Sequence, residues 1–209
     1  MKTYKLLATL LLLLPATSCI RTSDNNIMEK EKIVTENIME RRSIRKYTPE
    51  IPSREILDKI LECGINAPNG QNRQSWEIRV VDNPQTMELI KKGMAKGNPG
   101  TNRETIYGCF RGAPVMIFIA RDTSYDFSAY DCGLLAQNIM LSAWSMGVGS
   151  ICLGSPVRFI NNNQPPCKEV LEMLGFSEGY ELSLCVGLGY ADETPEAKPR
   201  IKEKIKYLD

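Results

Sequence analysis

The chain has 209 residues, and 26 lysines and arginines set against 25 aspartates and glutamates leave a net charge of +1. A balance so even provides no global field to gather nucleic acid or an acidic membrane surface, and no nucleic-acid partner is expected. Histidine is absent, which excludes Ser-His-Asp hydrolysis and His-based zinc chemistry, so neither a metal site nor an obligatory acid or base is nominated.

The N-terminus reads as an address. Two lysines within Met1–Lys5 precede a leucine-rich run of 9 residues, Leu6–Leu14, and small residues then lead into Cys19. The run is under half of the ~20 residues needed to cross a bilayer as a helix. Basic start, short apolar run and small-residue cleavage site make a signal segment over residues 1–18. The position of Cys19 resembles the lipobox of bacterial lipoproteins, with Ala16 where that motif prefers leucine. This implies an exported protein held at the membrane through lipid on Cys19. Residues 19–34 are polar and charged and suit a tether, leaving one domain over 35–209, a length that supports a full core.

Within that domain, Ser53 offers an N-cap and Ile56, Leu57, Ile60, Leu61 and Ile65 form an apolar stripe at helical spacing, with Pro68 beyond the end. Trp76–Val81 alternates and stops at Asp82-Asn83-Pro84, which reads as a half-buried strand. A helix over Thr86–Met94 is expected next. Gly93–Gly108, rich in Gly, Pro and Asn, reads as a mobile loop or a short-helix excursion of the kind that covers active sites.

Ala113–Ala120 is apolar throughout, as in a strand covered on both faces. Tyr130–Met146 is apolar nearly all round, with Gly147 as C-cap, so it is either the central helix or a subunit interface. Val148–Leu153 and Leu182–Leu188 read as further strands, separated by a helix from Lys168 to Leu174 that stops at Gly175. Helices and strands interleave, which predicts an α+β fold with a central mixed or antiparallel sheet flanked by helices. The seven cysteines lack ligand spacing, and several sit in apolar stretches, so most are expected to be buried thiols.

Four blocks carry the chemistry. Arg41 to Tyr47 packs four cations and a serine into seven residues, a composition that grips phosphate through guanidinium, hydroxyl and backbone N–H groups; the plain alternative is a solvated helix end. Ala67 to Trp76 is a Gly/Pro/amide-rich turn whose amides can hydrogen-bond a planar heterocycle, or simply form Asx turns. Ser150 to Ser155 ends a strand with a glycine that permits close approach of a flat ligand. Lys198-Pro199-Arg200 adds two cations in a stiffened tail. A Rossmann reading of Gly147–Cys152 fails, because the third glycine is missing and the segment precedes a strand.

In this order the blocks resemble the nitroreductase family of FMN enzymes. Arg41 to Tyr47 is similar to its RRSxRxF opening, and Ala67 to Trp76 to APSxxNxQPW, with Gly70 for a small residue and Ser75 for proline. Val186 to Tyr190 is similar to the VGLGY strand end, and Lys198 and Arg200 to the closing KxR. The resemblance implies that Arg41, Ser43, Arg45 and Arg200 hold the FMN phosphate and ribityl chain, assisted by Lys198 or Arg42. It implies further that Pro68, Asn69, Gly70, Asn72 and Gln74 line the ring and ribityl side, and that Cys152, Leu153 and Gly154 lie against the isoalloxazine through their backbone. Cys152-Leu153 departs from the family's acidic residue and glycine. A homodimer with FMN at its interface is implied too. So is electron transfer from NAD(P)H or another donor to a nitroaromatic, quinone or related small aromatic acceptor, the chemistry belonging to the cofactor. Two rivals are a lid-gated flavin enzyme of the same fold, of the reductive dehalogenation type and decided by Gly93–Gly108, and a flavin-free lipid-anchored binding protein.

Overall fold

The computed structural model describes residues 17–208, with side chains from residue 26 onward. The expected signal segment, apart from the backbone of residues 17 and 18, and the thiol of Cys19 lie outside the described residues. Helix α1, Thr17–Glu40, occupies the stretch read as a tether: the backbone there is helical, with an i,i+4 ion pair of Lys32 and Glu36 at 3.8 Å. Its composition of Glu, Lys, Met and Ile favours helix over extended chain. A second compact unit begins at Glu40, five residues beyond the expected domain start.

In that unit Ser53 caps α2 (Arg54–Ile65) by accepting the Ile56 N–H, as its position predicts. Strand β1 spans Trp76–Val81. Helix α3, Pro84–Gly97, starts two residues earlier than expected because Asn83 accepts the Thr86 N–H and Pro84 fits the first turn. After α4 (Arg103–Gly108) come β2 (Val115–Asp122), α5 (Ser128–Ser145) and β3 (Gly149–Leu153). Then follow α6 (Ser155–Ile160), α7 (Pro165–Leu174) ending at Gly175 with φ 62°, and β4 (Tyr180–Gly189).

The sheet order is β1-β2-β4-β3, and all three pairings are antiparallel. Strand β2 is central, and its unbroken apolar run divides between two cores. Met116 and Phe118 face Ile90, Met94, Ile106, Ile160 and Val170 of α3, α4, α6 and α7. Val115, Ile117 and Ile119 face Leu57, Ile60, Leu135, Ile139 and Ala143 of α2 and α5. Burying each such side chain contributes about 1.5–3 kcal/mol, which is why an alternating strand would not serve here.

One expectation needs correction, and one alternative is decided. Gly93–Gly108 is a packed short-helix excursion and not an open loop: Met94, Gly97 and Ile106 are buried, and Asn98 donates to the Phe159 carbonyl at 2.9 Å. It packs on the sheet face opposite α5. Helix α5 is the central helix, one of the two expected alternatives. Its inner side is core, while Tyr130 (69% exposed) and Leu134 (43%) stand in an outer stripe that continues through half-buried Leu141 and Trp144.

Candidate functional site

The basic opening block folds as an arm laid along the edge strand. Ser43 forms a parallel bridge with Ser150, and the Ile44 N–H donates to the Ser150 carbonyl at 3.0 Å. Farther on, Thr48 N–H donates to Tyr190 O at 2.9 Å and Asp192 N–H to Lys46 O at 3.0 Å, while Arg45 N–H donates to the Glu193 carboxylate. Ile44, 1% exposed, anchors the arm. Its seat is possible because residues 149 and 189 are glycines: a Cβ at Gly149 would stand 2.8 Å from Ile44 Cγ1, and one at Gly189 would stand 2.8 Å from Tyr47 Cδ1. Burial first, and then the Glu193 charge, push the Tyr47 hydroxyl well above the ordinary phenol range; it donates to the Ile44 carbonyl at 2.8 Å.

The arm's cations are unequally satisfied. Arg42 Nη1 donates to Arg41 O and Arg45 Nη1 to Ser43 O, each at 3.0 Å. Among the described residues, Arg41 Nε, Thr48 Oγ1 and Ser150 Oγ are buried side-chain atoms without a hydrogen-bond partner, and all three belong to the arm or the strand beneath it. Such atoms are rare in folded proteins and cost roughly 1–3 kcal/mol each, more on a charged group. A donor on Arg41 beside the Ser43 hydroxyl suits an anionic group, phosphate in particular. On the arm's other side, a cleft of about 610 Å³ is lined by Glu40, Arg42, Ile44, Trp144, Asp192 and Glu193. Its three carboxylates repel a phosphate, whereas the side of Arg41 and Ser43 carries donors suited to one.

Strand β3 carries the third block. Ile151 and Leu153 point into the core with α3 and α6, so Leu153 can offer a ligand only its backbone. Cys152 and Gly154 are exposed. Partial desolvation by its neighbours still raises the Cys152 thiol above its ordinary value, and the Leu153 backbone and then Arg41 pull it down by smaller amounts. Lys198 and Arg200 are exposed in the tail, and Arg200 Nη1 donates to the carbonyls of Lys198 (2.7 Å) and Pro199 (3.4 Å). The structure thus joins Arg41, Ser43 and the 150–154 strand, and keeps Arg200 on its own backbone.

The amide-rich block is a tight loop. Asn69 Oδ1 accepts the Gln74 N–H at 2.9 Å, and Gln71, Asn72 and Gln74 all have left-handed φ, 55°, 53° and 49°. Left-handed non-glycine residues cost of order 1–3 kcal/mol each and persist where the surroundings over-determine them. Here Asp131, 3% exposed, accepts Gly70 N–H at 2.9 Å through one oxygen and Ser75 O–H at 2.7 Å through the other. Tyr125 closes the opposite side: a Cβ on Gly70 would collide with its hydroxyl, and Arg73 stacks 4.4 Å over its ring. Asp131 and Tyr125 lie outside the four blocks, and Ser75 stands within the second only as a replacement for proline. The visible signal was a lone carboxylate inside the apolar run of α5.

The two halves of the candidate site lie far apart. Ser150 pairs through Leu188 with Val115, and Ser75 sits beside Asp122, whose N–H it accepts at 3.0 Å. Three strand spacings of roughly 4.8 Å across and seven residues of roughly 3.3 Å along put the arm and the loop on the order of 25 Å apart. They stand at opposite ends of α5, with Asp131 near its start and Trp144 near its end.

The sequence model described as the nitroreductase family matches residues 38–190. A relative from Methanothermobacter thermautotrophicus is 33% identical over 125 residues, 58% of this chain and 60% of that protein. The NADPH-flavin oxidoreductase of Vibrio harveyi is 31% identical over 180 residues, covering 81% of this chain and 70% of that one. Among solved structures, a nitroreductase with bound FMN from Desulfitobacterium hafniense superposes with a TM-score of 0.75 at 34% identity, covering 85% of this chain and 98% of the other.

Proposed function

This chain belongs to the nitroreductase family, and we propose that it is an FMN-dependent oxidoreductase carrying electrons from NAD(P)H or another donor to a nitroaromatic, quinone or similar small aromatic acceptor. The observation that carries the reading is the buried, unpartnered Arg41 Nε beside Ser43 at the edge of β3. It is joined by the similarity to a flavin oxidoreductase and to an FMN-bound structure. When bound, FMN supplies the two-electron chemistry.

The protein's part is to bind, orient and exclude water. Arg41 and Ser43 hold the phosphate, with Arg45 and Arg42 contributing charge and the tail cations Lys198 and Arg200 closing over it. Cys152, Leu153 and Gly154 present backbone to the flat ring. Pro68, Asn69, Gly70, Asn72 and Gln74 supply the amide hydrogen bonds to ring and ribityl chain. A distance on the order of 25 Å between arm and loop is too great for one flavin to bridge within one chain. We therefore propose a homodimer in which the loop of one copy faces the arm of the other, with the outer stripe of α5 (Tyr130, Leu134, Leu141, Trp144) against its two-fold mate. An antiparallel α5 pair puts the start of one helix beside the end of the other.

The test is to purify the full-length protein, record its visible spectrum, measure FMN per chain and follow anaerobic reduction by a panel of donors. A flavin spectrum bleached by NADH or NADPH is expected. A colourless protein with no affinity for added FMN overturns the proposal.

We also propose attachment to a membrane through lipid on Cys19, supported by the leucine run and small residues before it. Cys19→Ala should leave unlipidated precursor and move the protein out of the membrane fraction. A mature N-terminus unmodified and far from Cys19 overturns this.

A further inference from the structure

We infer that Asp131 is the positioning residue of the 69–75 loop, setting the shape in which its amides meet the cofactor, with Ser75 as the loop's half of the clamp. The inference rests on the flavin reading of that loop. Asp131 sits in the first turn of α5 and is buried, yet its two oxygens reach residues 61 and 56 positions earlier in the chain, the Gly70 N–H and the Ser75 hydroxyl. One carboxylate thus ties together both ends of a turn whose middle residues, Gln71 and Asn72, and then Gln74, hold left-handed backbone. An untied loop would relax those angles and scatter the Asn72 and Gln74 side chains before binding, so ordering them would oppose cofactor binding.

The hydroxyl half of the clamp depends on the serine at position 75. At position 75 the family-like motif has proline, which has no hydroxyl to donate, whereas here the Ser75 side chain is 1% exposed and committed to Asp131. The backbone N–H of Gly70 donates to the same carboxylate at 2.9 Å.

The test uses the full-length protein stripped of flavin and titrated with FMN, together with the visible-region circular dichroism of the bound flavin and the melting temperature of the apoprotein. Ser75→Ala removes one hydrogen bond and should weaken FMN binding by about tenfold. It should also alter the flavin's dichroic band, with the apoprotein melting lower than wild type, because one buried Asp131 oxygen loses its donor. Asp131→Ala should weaken binding further. Asp131→Asn should fall between, since its amide oxygen still accepts from Gly70 and its N–H can turn to the Ser75 oxygen. Unchanged affinity and dichroism in Ser75→Ala and Asp131→Asn overturn the inference and leave the flavin reading standing, as does a loss confined to melting temperature. A wild-type protein that takes up no FMN overturns the flavin reading itself.

Discussion

Ser43 lies beside Ser150 in a parallel bridge, and through it a basic segment far from β3 in sequence becomes the rim of that strand. The bridge decides which cation is available: Arg42 and Arg45 turn to backbone carbonyls, and Arg41 retains a buried donor without a partner. Arg41→Ala should therefore weaken FMN binding by about one to two orders of magnitude, the worth of a charge-assisted contact of about 1.5–3 kcal/mol. The apoprotein should melt no lower than wild type, because an unsatisfied buried donor is lost. Titration of the apoprotein against FMN and calorimetric melting read the two effects, and wild-type affinity would falsify the assignment of Arg41.

The seat of the arm can be closed without touching a cation. Gly149→Val places a Cβ 2.8 Å from Ile44 Cγ1 and 3.1 Å from the Gly189 carbonyl. Overpacking of this kind costs about 1–3 kcal/mol. The expected result is an arm lifted from β3, seen as new tryptic cleavage at Arg41, Arg42 and Arg45, with FMN affinity lost and the sheet retained by circular dichroism.

A site shared between copies predicts complementation. Arg41→Ala damages the arm, and Gly70→Val, through its collision with Tyr125, damages the loop. Each variant alone should bind FMN weakly. Co-expressed, mixed dimers should contain one doubly damaged and one intact site, and recover tight binding at about one FMN per two chains. Failure of mixed dimers to bind, or light scattering that gives a monomer for the flavin-loaded protein, sinks the shared site.

Thiol chemistry should divide along burial. Cys63 and Cys152 are exposed, while Cys109, Cys132, Cys167 and Cys185 are buried. In the folded protein an alkylating reagent should modify the first pair and reach the other four only after unfolding. Burial pushes Cys109 and Cys132 from 9.0 up to about 12, so between those values the folded state keeps protons that the unfolded state releases. Stability should fall as pH rises through roughly 9 to 12. Cys109→Ala with Cys132→Ala should flatten that slope in melting temperature against pH. An unaltered slope would discount these thiols as its source.

Much of this protein is written locally. The stripe of α2, the cap at Ser53, the double-faced run of β2 and the stop at Gly175 need only neighbouring residues, because helix and strand periods bury one face or two according to pattern. The four candidate blocks stand out in the sequence for the same reason, each being a compact cluster of donors. What escaped depended on partners distant in sequence or on segments too short to show a period. Helix α6 has six residues, less than two turns. The packing of Gly93–Gly108 turned on Met94 and Ile106 finding a core on the far face of the sheet, which loop-like composition concealed. The carboxylate of Asp131 was visible in α5, yet its function became apparent only when folding brought Gly70 and Ser75 to it. Above all, the order β1-β2-β4-β3 sends arm and loop to opposite edges of the sheet. Sequence alone determined which clusters carry donors suited to a flavin; the tertiary structure decided that arm and loop stand on the order of 25 Å apart within one chain, because strand order is set by how two apolar faces are covered and leaves no trace in the spacing of the motifs.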